Sequence, residues 1–214
     1  ELAIAEKEFL IGEQLLKTVL EGIHHSNNSQ YLVSAYSLLL KIYTMQGKFG
    51  NMAKYANLLL PLSQIEQNLE AEAISLNSLG ISYAVKGEYK SAFEHFTSAI
   101  EKSEHIGYAV FSAKTLINLG VIFSELRNFT EALKIYHRVN QEYANVTSDY
   151  TKIVSFYNIG GLYLRLEEFG NSISYFKKAL KAARFHNFPF IEYKCLYELS
   201  RVFIDQGQIE KGLE

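Results

Sequence analysis

The chain has no tryptophan, one cysteine and two prolines among its 214 residues. Cys195 stands alone, so an internal disulfide framework is excluded, and the usage suits a reducing compartment. With so little proline, the abundant Leu, Ala, Glu and Lys are free to favour helix. Charge of either sign is in short supply as well: 21 Lys and Arg against 23 Asp and Glu give a formal net charge of −2. Nucleic-acid binders usually carry a clear basic excess, and none exists here. No apolar run approaches the ~20 residues that span a bilayer. The opening residues 1–8 are charged and amphipathic, unlike a secretory signal, so a cytoplasmic location is expected. The first residue is Glu rather than Met, and both ends cut through the pattern described below. The chain therefore reads as a piece excised from a longer protein.

Catalytic signatures are missing too. There is no His-Glu-x-x-His, no Walker-type loop, no Gly-x-Gly-x-x-Gly and no paired-cysteine metal spacing. His24 and His25 are adjacent in a turn and point two ways, which suits solvent better than a metal. Cys195 falls in a small-residue packing phase. Three Asn-x-Ser/Thr triplets, at Asn27, Asn128 and Asn145, are chance matches in a chain with no secretory signal. The expectation is a non-enzyme without cofactor or metal.

What is present is a folded composition, 48% hydrophobic and 14% aromatic, arranged with a period. Leu76, Leu79, Gly80, Tyr83, Gly87, Tyr89 and Ala92 return 40 residues later as Leu116, Leu119, Gly120, Phe123, Phe129 and Ala132. They return again as Phe156, Ile159, Gly160, Tyr163, Phe169 and Ser172. Weaker copies run through Tyr36, Leu39, Leu40, Tyr43, Gly47 and Phe49, and through Leu196, Leu199, Ser200, Phe203 and Gly207. A fixed period of this size marks a repeat solenoid.

Each period predicts two helices. The first helices (A) are expected near 30–46, 70–86, 110–126, 150–166 and 190–206, and the second (B) near 49–66, 89–104, 129–144 and 169–185. Phe9, Gly12, Leu16 and Val19 are in phase with a B helix. Gly47, Gly87 and Gly207 suit left-handed C-caps, with Asn128 offered for that conformation where Arg127 stands. Pro189 suits a first helical turn, whereas Pro61 should kink or end its helix near Leu60. The mid-helix glycines Gly80, Gly120 and Gly160 imply close helix approach, with Ala92, Ala132 and Ser172 as small partners. The aromatic column Tyr83, Phe123, Tyr163 and Phe203 is expected to pack toward the next repeat.

The spacing large-x2-Leu-Gly-x2-aromatic, followed by a small residue past a turn, resembles the tetratricopeptide repeat, with Leu76 where that family usually has Trp. The resemblance covers nearly all of the chain and implies an all-α, right-handed superhelical solenoid of antiparallel helix pairs. Residues 1–28 would be the B helix of a truncated repeat. Four repeats would follow at 29–68, 69–108, 109–148 and 149–188, then a partial one at 189–214. The last B helix would fray over 207–214 or pair with a second molecule, giving a homodimer through the C-terminal repeat.

In that family the A helices line a concave surface that takes extended peptides. By register the groove would present Ser34, Ser37, Leu38 and Lys41, then Ile74, Asn77, Ser78 and Ile81. Next come Lys114, Ile117, Asn118 and Val121, followed by Val154, Tyr157, Asn158 and Gly161. The last repeat would add Lys194, Tyr197, Glu198 and Arg201. The candidate peptide-binding residues are Asn77, Lys114, Asn118, Tyr157, Asn158, Arg165, Lys194 and Arg201. Carboxamides offer a donor and an acceptor to peptide bonds, and the cations would read an acidic group. A carboxylate clamp known in some members is only partly matched, since its first Lys is Ser37 and its final Arg is Asn118.

The expected function is a non-catalytic protein- or peptide-binding module with no nucleic-acid or membrane contact. It would be the sensing or scaffolding part of a larger signalling or transcription-regulating protein. Repeats of this length and inner-face Asn are similar to bacterial peptide-sensing regulators. The alternatives are self-association, or regulation of an attached bacterial kinase, cyclase or phosphatase.

Overall fold

Every second helix begins 40 residues after the last, at Ser29, Leu69, Ala109, Asp149 and Pro189. The computed structural model describes residues 2–23 and 28–208, with side chains from residue 8 onward, except at residue 23. Ten α-helices account for the secondary structure of the described residues: α1 (Leu2–Ile23), α2 (Ser29–Gln46), α3 (Phe49–Ile65), α4 (Leu69–Val85), α5 (Tyr89–His105), α6 (Ala109–Glu125), α7 (Phe129–Glu142), α8 (Asp149–Arg165), α9 (Phe169–Phe185) and α10 (Pro189–Asp205). No helix among them is long and apolar enough to cross a membrane. The adjacent His24 and His25, and the segment from Ile209 onward expected to fray or dimerise, lie outside the described residues.

The chain forms two compact units, Glu1–Tyr108 and Ala109–Glu214. In the first, each of α1 to α5 packs on its sequence neighbour, and α2 also meets α4. In the second, α6 to α10 pack in the same consecutive way, and α8 also meets both α6 and α10. Pairing of neighbours is what short connections dictate, because a helix pair cannot bury its apolar face without the pair beside it.

The helix starts are written locally. Asn28, Asn68, Asn128 and Ser148 are N-caps whose side chains accept hydrogen bonds from the amides of Tyr31, Ala71, Glu131 and Thr151, satisfying donors that the first helical turn leaves open. Pro189 opens α10 as expected. The turns after α2 to α6 and after α8 to α10 share one device, a residue at positive φ. Gly47, Gly87, Gly107 and Gly207 supply it where glycine is present, and Gln67, Arg127, Glu167 and Asn187 supply it elsewhere, with φ between 53° and 60°. The offered role for Asn128 is thus corrected. Arg127 itself takes φ 59°, because Asn128 is one residue too late and is engaged as the cap of α7.

Pro61 also departs from expectation, since α3 runs through it to Ile65. Pro61 and Asn57, whose carbonyl loses a partner, both face solvent. Nearby, Ser63 Oγ donates to the Leu60 carbonyl at 2.8 Å and Asn57 Nδ2 to that of Ala53 at 3.0 Å. The proline is tolerated on the wet side of the helix.

The glycine column has the close approach that its position demanded, but with a different partner. A Cβ on Gly80 would stand 2.7 Å from the Phe96 ring, one on Gly120 2.6 Å from Tyr136, and one on Gly160 2.8 Å from Phe176. An aromatic ring of the following helix lies against each glycine. Of the small residues expected there, Ser172 Oγ does donate to the Gly160 carbonyl at 2.9 Å. The aromatic column is corrected at two positions: Tyr83 packs on His95 at 4.9 Å and Tyr163 on Tyr175 at 5.6 Å. Each of these contacts lies inside its own helix pair.

In the first unit, Leu39, Leu40, Tyr43, Met52, Ala56 and Leu59 form the centre of the core. Full burial of each of the Leu and Met side chains among them contributes roughly 1.5–3 kcal/mol. Tyr43 stacks on Tyr55 at 5.4 Å and donates to the buried carboxylate of Glu13, which also takes Lys17 and Lys48. In the second unit Ile153, Ala179, Ala183, Ile191 and Cys195 form one cluster, and Phe176, Leu199 and Val202 another. Burial pushes the Cys195 thiol up to about 11, which fits a packing residue.

Candidate functional site

A cavity of about 580 Å³ opens in the second unit, walled by α6, α8 and α10 with aromatic rings from α7 and α9. It lies over the final turns of the three A helices. Val121, Ser124 and Glu125 come from the end of α6, Tyr157, Asn158, Gly161 and Arg165 from α8, and Glu198, Arg201 and Asp205 from α10. The buried rings of Tyr136 and Phe176 close its inner side, and the half-buried Phe169 also lines it.

Four of the eight candidate residues are brought together here: Tyr157, Asn158, Arg165 and Arg201. Lys194 stands just outside them, with its Nζ 5.8 Å from the Tyr157 ring centroid and 4.7 Å from that of Phe190. Lys114 is exposed and Asn118 half-buried on α6, and neither lines the cavity. Asn77 is half-buried on α4 in the first unit. Two positions assigned to the groove by register are instead packing residues, Ser78 and Ile117. An A helix that touches helices on two sides keeps only a narrow stripe for solvent.

The site is preorganised by hydrogen bonds that cross between helices. Arg165 reaches from α8 to α6, donating to the Ser124 carbonyl at 3.1 Å and its Oγ at 3.2 Å, and pairing with Glu125 at 3.0 Å. Its guanidinium thereby adds a second donor to a carbonyl that already accepts from the Arg127 amide at the C-terminal end of α6, where cations are favoured. Arg201 pairs with Glu198 at 3.2 Å on α10. The Tyr157 hydroxyl donates to Glu198, and burial followed by that carboxylate's charge pushes the phenol up to about 12. The Asn158 carboxamide is bonded to the Tyr136 hydroxyl, whose own ionisation is pushed up by burial.

Tyr136 is the residue that the repeat pattern passed over. It occupies the column of Phe96 and Phe176, but it alone carries a hydroxyl, and that hydroxyl holds Asn158. The ring can lie there only because Gly120 has no side chain. A Tyr in a column of Phe was the available signal. A carboxamide offers up to four hydrogen-bonding positions, so Asn158 keeps capacity for a ligand after binding Tyr136.

Two tetratricopeptide repeat models match the chain, at residues 115–140 and 153–186. Neutrophil cytosol factor 2 of Bos taurus is 30% identical over 126 residues, which is 59% of this chain and 21% of that protein. The chain thus spans about a fifth of that relative's length. Among solved structures, the apo form of the quorum sensor NprR from B. thuringiensis superimposes with a TM-score of 0.79 at 15% identity, over 98% of this chain and 58% of that one. BtubC from P. vanneervenii gives 0.75 at 18% identity, over 97% and 86%. Repeat spacing, consecutive helix pairing and matched models agree: residues 115–140 and 153–186 match tetratricopeptide repeats, and the chain folds as an array of that kind, the architecture of a protein-interaction module.

Proposed function

We propose that this array is the ligand-sensing part of a larger regulatory protein and binds an extended peptide through the cavity of its second unit. The observation that carries this reading is the Tyr136–Asn158 pair. The Asn158 amide donates to the oxygen of the buried Tyr136 phenol, which fixes the carboxamide at the cavity wall, where its other N–H and its carbonyl can exchange hydrogen bonds with a peptide backbone. A pre-fixed donor and acceptor loses little freedom on binding, which is where affinity is usually lost. Helix-pair arrays bind extended segments along their inner helices, and the similar fold of a quorum sensor supports a sensing role.

The test is selection of displayed random short peptides on the chain, followed by titration of the winners. Asn158→Ala should weaken the selected peptides by roughly 1 kcal/mol or more, the size of a hydrogen bond to a fixed partner. Tyr136→Phe should weaken them by a smaller amount with helix content unchanged. Enrichment of peptides indifferent to both variants would move the site elsewhere, and no enrichment at all would sink the reading.

A further inference from the structure

The charges around the cavity favour a ligand of one sign. Its two guanidiniums are already answered, Arg165 by Glu125 and Arg201 by Glu198. Glu167 and Asp205 also line it, and neither has an ion-pair partner among the described residues. Four carboxylates therefore face two guanidiniums, and Lys194 beside Tyr157 does not cancel the excess. The backbone adds to the same sign. The cavity sits at the C-terminal ends of α6, α8 and α10, each of which carries partial negative charge. Arg165 answers only the end of α6. The remaining wall is aromatic, with Tyr157 and Phe169 half-buried along it, and such a wall suits the apolar stem of a long side chain whose charged head stays wet.

Building on the peptide-binding reading above, we propose that the cavity receives a cationic side chain, Lys or Arg, of the bound peptide. Its stem lies against Tyr157 and Phe169, and its charged head turns toward Glu167 and Asp205. This reverses the expectation from sequence that Arg165 and Arg201 read an acidic group: an incoming carboxylate would have to displace Glu125 or Glu198.

Labelled pools of short synthetic peptides, each with one position fixed as Lys, Arg, Glu or Asp and the rest randomised, are titrated by fluorescence polarisation. The proteins are the wild-type chain, Asn158→Ala, and the double variant Glu167→Gln with Asp205→Asn. The Lys and Arg pools should bind roughly five-fold more tightly than the acidic pools, the size of a partly exposed ion pair. That preference should shrink with added salt and vanish in the double variant, whose circular dichroism stays wild-type. Equal binding of all pools, or tighter binding of the acidic ones, with Asn158→Ala still weakening it, would overturn the charge assignment and leave the peptide site standing. Binding that ignores Asn158→Ala, or no binding by any pool, would overturn both.

Discussion

The same contact is built in two opposite ways along this chain. In the helix pairs α4–α5, α6–α7 and α8–α9 a glycine faces an aromatic ring: Gly80 with Phe96, Gly120 with Tyr136, Gly160 with Phe176. In the pair α2–α3 the sizes are exchanged, with Leu40 in the glycine column and Ala56 in the ring column, both buried in one cluster. The volume to be filled is similar, so the column constrains the sum of two side chains rather than either identity. Close-packed interiors behave this way, because an added methylene must displace something already in place. The exchange also explains why the sequence copy at Tyr36–Phe49 looks weak although its helices are regular.

The largest effect that tests this comparison is a swap. Phe96→Ala alone should destabilise the chain by roughly 3–5 kcal/mol through the cavity it leaves, and Gly80→Leu alone should cost about 1–3 kcal/mol through overpacking. Together they recreate the Leu40–Ala56 arrangement, and the double variant should be more stable than the sum of the singles by on the order of 1–3 kcal/mol. Urea unfolding of the four proteins measures the coupling. Simple additivity would show that the two arrangements are not interchangeable.

A smaller effect separates the turns. Gly87 and Arg127 hold equivalent left-handed positions, at φ 78° and 59°. Gly87→Ala should lower stability by about 1 kcal/mol, while Arg127→Gly should raise it by up to about 0.5 kcal/mol, strain relief being partly offset by glycine's greater freedom when unfolded. A melting-temperature comparison of the two variants shows the sign of each. Destabilisation by Arg127→Gly would mean that its side chain outweighs its backbone.

The smallest effect sets the first unit apart by its buried acid. Hydrogen bonding from Lys17, then Lys48 and Tyr43, holds the Glu13 carboxyl below its ordinary value of 4.5. The native state therefore favours the ionised form. That contribution is complete above about pH 4.5 and is lost as the pH falls through the lower folded value. Glu13→Gln should flatten this part of the stability curve, seen as a reduced dependence of the urea midpoint on pH below 5. An unchanged slope would show that other carboxylates carry the acid sensitivity.

Much of the fold was legible because repetition averages out local ambiguity. Helix limits fell within about two residues of expectation, as caps such as Asn68 and Asn128 and the glycine turns recur in phase. The departures came where one position serves two neighbours. Ile117 reads as a groove residue along α6, yet it is buried, and Asn128 reads as a turn residue but caps the next helix. Half of the candidate binding residues converge on one cavity. Lys114, Asn118 and Lys194 do not line it, because register gives the face of a helix but not the distance between faces.

The sequence by itself determined the period, the helices, the close approach at the mid-helix glycines and the likeness to tetratricopeptide repeats. All of these are properties of neighbours within about one repeat. Only the tertiary structure decided that Tyr136 holds Asn158, that Glu125 and Glu198 neutralise Arg165 and Arg201, and that the cavity is left acidic. These depend on which side chains from successive helices meet at hydrogen-bonding distance. That distance is set by how the helices pack, and packing is a sum over many contacts that no single repeat encodes.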